Sequence, residues 1–310
     1  MARLKQATIT ALGILSVSVH PNHGGAQLIG SGEVLEWQSP LPDHRISYGP
    51  ALQQFGNLRL PTGASPHPTV VFIHGGCWLS AFDIQHVGQT EVAIAEAGYA
   101  VWSIEYRRLG DEGGGWPSTY LDVGQGIDHL REMAEPYNLD LSRVVVAGHS
   151  AGGALALWAA ARGKVDDQSA LYIPNPLPVQ AVFALAPAAD LEALEERGSC
   201  GNAVGRLMGG TPAEYPERYQ AASPMQLAPI SVPQTLLIGG QDFVWAPPGR
   251  SYYHRALTLG TEDLRIVDLP DSGHFEMVSP STTSWRLVMS ALKETFESMT
   301  PLGGSDGQVR

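Results

Sequence analysis

Residues 144–158 read VVVAGHSAGGALALW. A run of valines ends at Gly148, one serine stands between a histidine and an alanine, and an alanine-rich stretch follows. Locally, Arg143–Ala147 reads as a buried strand and Ala151–Arg162 as a helix closed by Gly163. Ser150 occupies the joint. Gly148 and Gly152 flank it where a sharp strand-to-helix turn leaves no room for a Cβ. Such a turn lifts Oγ above the sheet, beside the positive end of a helix. A Gly-x-Ser-x-Gly match is short and arises by chance. The strand before it and the helix after it give it weight.

Outward from this joint, short β-branched runs alternate with helical patterns. Strands are expected at Asn57–Leu60, Thr69–His74, Ala100–Tyr106, Arg143–Ala147, Gln180–Leu185, Gln234–Ile238 and Leu264–Leu269. Several are nearly continuous in Val, Ile, Leu and Ala, as in parallel strands covered on both faces. Over 118–134, Tyr120, Val123, Ile127, Leu130 and Ala134 share one helix face, with Thr119 and Asp122 spaced as a capping box. Over 281–297, Trp285, Val288, Leu292 and Phe296 share another. The alternation predicts an α/β fold with a mostly parallel central sheet and helices on both faces. Residues 190–230 break the rhythm with helical pieces and no strand. They are expected to form a small helical cap above the carboxyl ends of the strands, where open α/β sheets bind ligands. The expected organisation is a peripheral segment over 1–45, one domain over 46–298 carrying the cap at 190–230, and a flexible tail over 299–310.

The chain has 310 residues, 44% hydrophobic and 16% charged, with a net charge of −12. It can bury a sizeable core. The acidic balance, without a dense Lys/Arg cluster, argues against a nucleic-acid partner. Two cysteines, Cys77 and Cys200, are too few for a disulfide framework and lack zinc-site spacing, so both read as idle thiols and no metal is expected. The mildly apolar run after Arg3 and Lys5 is too short and polar to span a bilayer, so no stable membrane insertion is expected. The cytoplasm is the default compartment. Secretion or the periplasm follows instead if residues 1–20 act as a signal peptide.

A serine hydroxyl needs a base to become a nucleophile, and the base needs an orienting carboxylate. His274, in LPDSGHFEM, follows the last strand. Asp242, in GGQDFVWAP, directly follows the strand before it. Asp190, Asp268 and Asp271 are the alternatives, less well placed relative to a strand end. The order Ser150, Asp242, His274 is the one expected for a serine, acid and histidine on an α/β sheet. His149 reads as a packed turn residue and His86 as a weaker substrate-site candidate. Acyl transfer also needs donors for the oxyanion. VVFIHGGCW, residues 70–78, ends a strand in His74, Gly75 and Gly76. The same tripeptide in NHGGAQ, residues 22–27, lacks a preceding strand.

Together, IHGGCW, GHSAGG, GGQDFVWAP and DSGHFE resemble an α/β-hydrolase of the esterase/lipase type. The HGGxW form, His74 to Trp78, resembles the kynurenine formamidase (arylformamidase) and BD-FAE-like branch, as does IEYRRLGDEGGGWPSTYLDV over 104–123. The resemblance spans about residues 46–297 and implies the α/β-hydrolase fold. It implies an oxyanion hole from the main-chain N–H groups of Gly76 and Cys77, joined by Ala151, with His74 and Trp78 bracing the loop. The side chain of Cys77, where many members carry a bulkier residue, reads as a small filler. The expected function is a serine carboxylesterase acting on a small-molecule acyl substrate, without a cofactor. An arylformamidase acting on N-formylkynurenine-type formamides is the alternative, and a catalytically silent binding module is the non-enzymatic one. Trp78, Trp116, Tyr215, Tyr219 and Trp245 are candidates for an aryl pocket.

Overall fold

A computed structural model describes residues 28–299. The signal-like stretch over 1–20, the NHGGAQ tripeptide and most of the expected tail lie outside the described residues.

Eight strands form one sheet in the order β1-β2-β4-β3-β5-β6-β7-β8. They are β1 (His44–Ser47), β2 (Phe55–Arg59), β3 (His67–Ile73), β4 (Ala100–Ile104), β5 (Leu139–His149), β6 (Ala181–Leu185), β7 (Gln234–Gly239) and β8 (Leu264–Leu269). From β4 onward in sheet order every pairing is parallel, while β1–β2 and β2–β4 are antiparallel. The mostly parallel α/β-hydrolase sheet expected from the alternation is present, with one edge strand, β1, that the hydrophobic pattern does not reveal.

The central strands are apolar on both faces because helices cover both. Val71, Ile73, Val144, Val146, Val182, Ala184 and Leu236 join one core layer. Val70, Phe72, Val145, Ala147, Phe183, Leu185 and Leu237 join the other. The alternation follows the two-residue period of a strand, and each fully buried Val, Ile or Phe contributes about 1.5–3 kcal/mol by leaving water.

The helices are α1 (Ser31–Val34), α2 (Gly88–Glu96), α3 (Ser118–Asp128), α4 (Leu130–Met133), α5 (Ala151–Ala161), α6 (Leu191–Glu196), α7 (Ser199–Met208), α8 (Pro216–Ala222), α9 (Pro224–Leu227), α10 (Ala246–Thr258) and α11 (Trp285–Ser298). Nearly all of α5 is buried, and its small residues let it lie close against the sheet. None of the described helices is long and apolar enough to cross a membrane.

Two local expectations need correction. The helix expected over 118–134 divides at His129 into α3 and α4. Its capping box does not form. Thr119 Oγ1 instead donates to Arg107 O at 2.6 Å, and Asp122 pairs with the Arg107 guanidinium at 2.6 Å and accepts from Gln54 Nε2 at 2.7 Å. Tertiary partners outcompete the local helix N–H groups for both side chains.

Candidate active site

Register brings the site together. Ile73, the last residue of β3, pairs with Gly148 of β5, and His149 pairs with Leu185 of β6. The loop after β3 therefore runs beside Ser150. The turn at Ser150 has φ 57° and ψ −118°, a conformation that L-residues rarely adopt and that neighbouring structure must hold. Ser150 N donates to Leu185 O at 2.8 Å, and Ser150 O accepts from Ala188 N at 3.1 Å. A Cβ on Gly148 would strike the Gly152 carbonyl, and one on Gly152 would strike the carbonyls of Ile73 and His74. The glycines are thus required by close backbone approach on both sides of the serine.

Asp242 and His274 stand in the loops after β7 and β8. Asp242 Oδ2 accepts from His274 Nδ1 at 2.6 Å, and Oδ1 accepts from Trp245 N at 3.0 Å. Trp245 stacks on the His274 ring at 5.4 Å. The competing carboxylates are engaged or placed elsewhere: Asp190 caps α6, Asp268 pairs with exposed Arg250, and Asp271 is exposed. Ser150, Asp242 and His274 line one cavity of about 440 Å³. Ser150 Oγ and His274 are not hydrogen-bonded to each other in this structure. Gly76 and Cys77 line the same cavity. The main-chain N–H groups of Gly76, Cys77 and Ala151 have no acceptor among the described residues.

The loop carrying Gly76 and Cys77 is braced from behind. Both ring nitrogens of His74 face oxygens, Nδ1 at Gly75 O (2.8 Å) and Nε2 at Glu105 Oε1 (3.0 Å). Glu105 also accepts from Ile84 N and Tyr106 N and forms an ion pair with Arg108 Nη1, each at 3.0 Å. Tyr106 stacks on His74 at 4.5 Å and donates its hydroxyl to His74 O at 2.9 Å. Glu105, Tyr106 and Arg108 fall inside the 104–123 stretch, and sequence alone assigned these three no role in the site. His86 belongs to this buried layer, edge-on to His74 at 5.7 Å, and does not line the cavity. Burial, reinforced by nearby His74, pushes its pKa down to about 4.

His149 is packed, as a turn residue should be, but it also reaches His274. Its Nε2–H donates to His274 O at 2.8 Å, and burial followed by the proximity of His274 holds its pKa well below the ordinary histidine value. A neutral ring can therefore fix the backbone of His274. Gly75 leaves it space, since a Cβ there would lie 3.2 Å from His149 Nδ1.

Other expectations are corrected. Trp78 and Tyr219 are 1% exposed, and of the five aromatic candidates Trp245 alone lines the cavity. Phe82, Phe243 and Phe275 line it instead, together with Leu28 and Ile29 from the stretch expected to be peripheral. Ile29 N is anchored on Glu276 Oε1 at 2.5 Å. No residue of 190–230 lines this cavity. The helices of that segment border a separate 680 Å³ cleft through Glu217, Arg218 and Leu227. Nor are the cysteines idle: Cys77 and Cys200 form a disulfide across 123 residues, with Cα atoms 6.0 Å apart. The fold of 190–230 brings them together, and no spacing rule reports that.

A family model described as BD-FAE matches residues 57–252. The chain belongs to the BD-FAE family. This BD-FAE chain is of the α/β-hydrolase esterase/lipase type, and its curated relatives include Esterase LipC of Mycobacterium tuberculosis, 28% identical over 251 residues, or 77% of this chain and 61% of that protein. The chain thus spans about three-fifths of that relative's length. It is also 26% identical to an acetyl-hydrolase of Streptomyces hygroscopicus, over 73% of this chain and 81% of the relative. Esterase B from Lactobacillus rhamnosis shares the fold with a TM-score of 0.67 and 22% identity over 84% of this chain and 88% of that one.

Proposed function

We propose that this BD-FAE protein is a serine carboxylesterase for small, neutral esters. The observation that carries the reading is a single cavity holding Ser150, an Asp242–His274 pair joined at 2.6 Å, and the N–H groups of Gly76 and Cys77, unpartnered among the described residues. Ser150 Oγ attacks the acyl carbonyl while His274 Nε2 takes its proton. The Asp242 carboxylate fixes the imidazole tautomer and stabilises the imidazolium. The N–H groups of Gly76, Cys77 and Ala151 receive the developing oxyanion. His274 returns the proton to the leaving alkoxide, and the acyl group stays on Oγ. Water then gives a proton to His274 and attacks the acyl-enzyme, which releases the acid and restores the serine. The Ser150–His274 hydrogen bond is proposed to form when substrate binds, since catalytic hydrogen bonds tighten in the Michaelis complex.

The lining favours an ester over N-formylkynurenine. Leu28, Ile29, Phe82, Phe243, Val244 and Phe275 are apolar, and among the described residues the lining contains no lysine or arginine to meet an amino-acid carboxylate. The esterase and acetyl-hydrolase names of the relatives point the same way. A fluorophosphonate probe is expected to label the protein once, and Ser150→Ala not at all; equal labelling of that variant overturns the reading. Turnover of p-nitrophenyl acetate is expected to exceed that of N-formylkynurenine at least a hundredfold in kcat/KM, and the reverse order sinks the ester assignment.

The disulfide also supports an oxidising compartment over the cytoplasm, because thiols stay reduced in most cytosols. Denatured, unreduced protein from its native compartment is expected to take up no alkylating reagent. Two alkylated cysteines contradict this.

A further inference from the structure

We infer that Cys200, outside the cavity, is a positioning residue for catalysis, holding the Cys77 N–H through the disulfide at the place where an oxyanion forms. The inference rests on the esterase reading and adds to it a residue that neither the catalytic trio nor its hydrogen-bond partners include.

The turn after β3 gives the reason. Gly76 has φ 106°, Cys77 φ 55° and Trp78 φ 56°. Leu79 N closes the turn on Gly76 O at 2.9 Å, so its two central residues both have positive φ. That geometry suits glycine or asparagine, and here it is filled by cysteine and tryptophan. Something beyond local preference must hold it. Gly76 is held through its carbonyl, and Trp78 through its carbonyl, which accepts from Leu109 N at 2.8 Å. Among the described residues the Cys77 main chain makes no hydrogen bond through either its N–H or its C=O. Its one bonded attachment outside the turn among those residues is the sulfur link to Cys200.

The other end of the link is firmly seated. Val204, Leu207 and Met208 of α7 are buried, and Leu207 O accepts from Trp116 N at 2.8 Å. Cys200, the second residue of α7, sits in a left-handed turn that precedes the regular helix, with φ 53°, followed by Gly201 at 65° and Asn202 at 57°. The disulfide therefore pins an otherwise unbonded peptide to an anchored helix. Its N–H stays free for substrate because the restraint acts through the side chain. This arrangement also gives residues 190–230 a part in the reaction without any of them touching the cavity.

The experiment compares the wild type, Cys200→Ala and Cys77→Ala/Cys200→Ala on p-nitrophenyl acetate, at a temperature where circular dichroism shows each folded. Removing a whole oxyanion donor costs about 10²–10³ in kcat, so loosening one is expected to lower kcat about tenfold with KM within about twofold. Native wild type treated with dithiothreitol should fall equally. There the reagent's thiolate attacks one sulfur, its second thiol closes the cyclic disulfide, and two electrons and two protons pass to Cys77 and Cys200. Reoxidation should restore the rate, and the double variant should ignore the reagent. Fluorophosphonate labelling should remain one per chain in every sample, with only its rate reduced. If the wild type takes no label, the esterase reading itself fails. If it is labelled and kcat per labelled site is unchanged in Cys200→Ala, or unchanged on reduction, the disulfide is merely structural and the inference is overturned.

Discussion

The turn at Ser150 and the turn at Cys77 stand side by side, and both force side-chain-bearing residues into positive φ. They are held in opposite ways. The first draws its shape from its own sequence, β5 before it, α5 after it and two glycines beside it, and meets distant segments only through backbone groups, Leu185 O, Ala188 N and the carbonyls of Ile73 and His74. The second is fixed by groups far away in sequence: Glu105, Tyr106 and Arg108 behind His74, and Cys200 on α7. The geometry of the proposed nucleophile is thus encoded mainly by local sequence. That of its proposed oxyanion donors is encoded by side chains distant in sequence, and the two should respond differently to mutation.

The local turn should fail abruptly. Gly152→Val puts a branched side chain into the carbonyls of Ile73, the last residue of central strand β3, and of His74 just after it, which cannot yield. A cost above about 4 kcal/mol is expected, near the limit for single substitutions. Urea denaturation measures it. A cost under about 1 kcal/mol would show that the turn adapts as readily as its neighbour.

The tertiary support should fail with pH. His86 titrates near 4 when folded and near 6.5 when unfolded. As pH falls below 6.5 the unfolded chain takes up the proton first, so the stability contributed is complete above 6.5 and lost by about pH 4. The full loss is on the order of 3 kcal/mol, and His149 adds to it with the same sign. His86→Gln should flatten this acid limb in denaturation midpoints measured between pH 7 and 4. An unchanged limb would mean that His86 is not the group responsible.

Glu105→Gln sharpens the contrast further. It retains an oxygen but removes the charge that Arg108 and His74 share, at 3% exposure. The expected outcome is about 2 kcal/mol of destabilisation with kcat down about tenfold and KM little changed. A change in KM alone would place Glu105 in substrate binding instead of behind the donor loop.

The same division explains what could be read from the chain alone. The positions of Ser150, Asp242 and His274 were legible because each directly follows a run whose strand character is local. The glycines of GHSAG were legible for the same reason. Glu105 was not, because its partner His74 lies 31 residues away and nothing in EYRR marks one glutamate as buried. Cys200 was less legible still, since only the fold of 190–230 brings it to Cys77. The capping box at Thr119 and the aromatic lining at Trp78 and Tyr219 were plausible local patterns that tertiary packing overrode. β1, four residues with no buried position, carries too little hydrophobic alternation to be seen.

The smallest expected effect lies at the mouth of the cavity, where neither kind of support operates. Phe243 and Val244 follow the Asp242 carboxylate directly, and they are 79% and 61% exposed while lining the pocket. Exposed side chains add little to folding, so Phe243→Ala should shift stability by no more than about 0.5 kcal/mol. Its effect should appear in substrate binding, because an apolar acyl or alkoxy group that leaves water against the ring gains roughly 25 cal/mol for each Å² of contact. KM for p-nitrophenyl butyrate should therefore rise several-fold, KM for the acetate should rise less, and kcat for both should hold. If instead kcat falls equally for the two esters, Phe243 acts through the adjoining Asp242 and the rim is an extension of the Asp242–His274 pair.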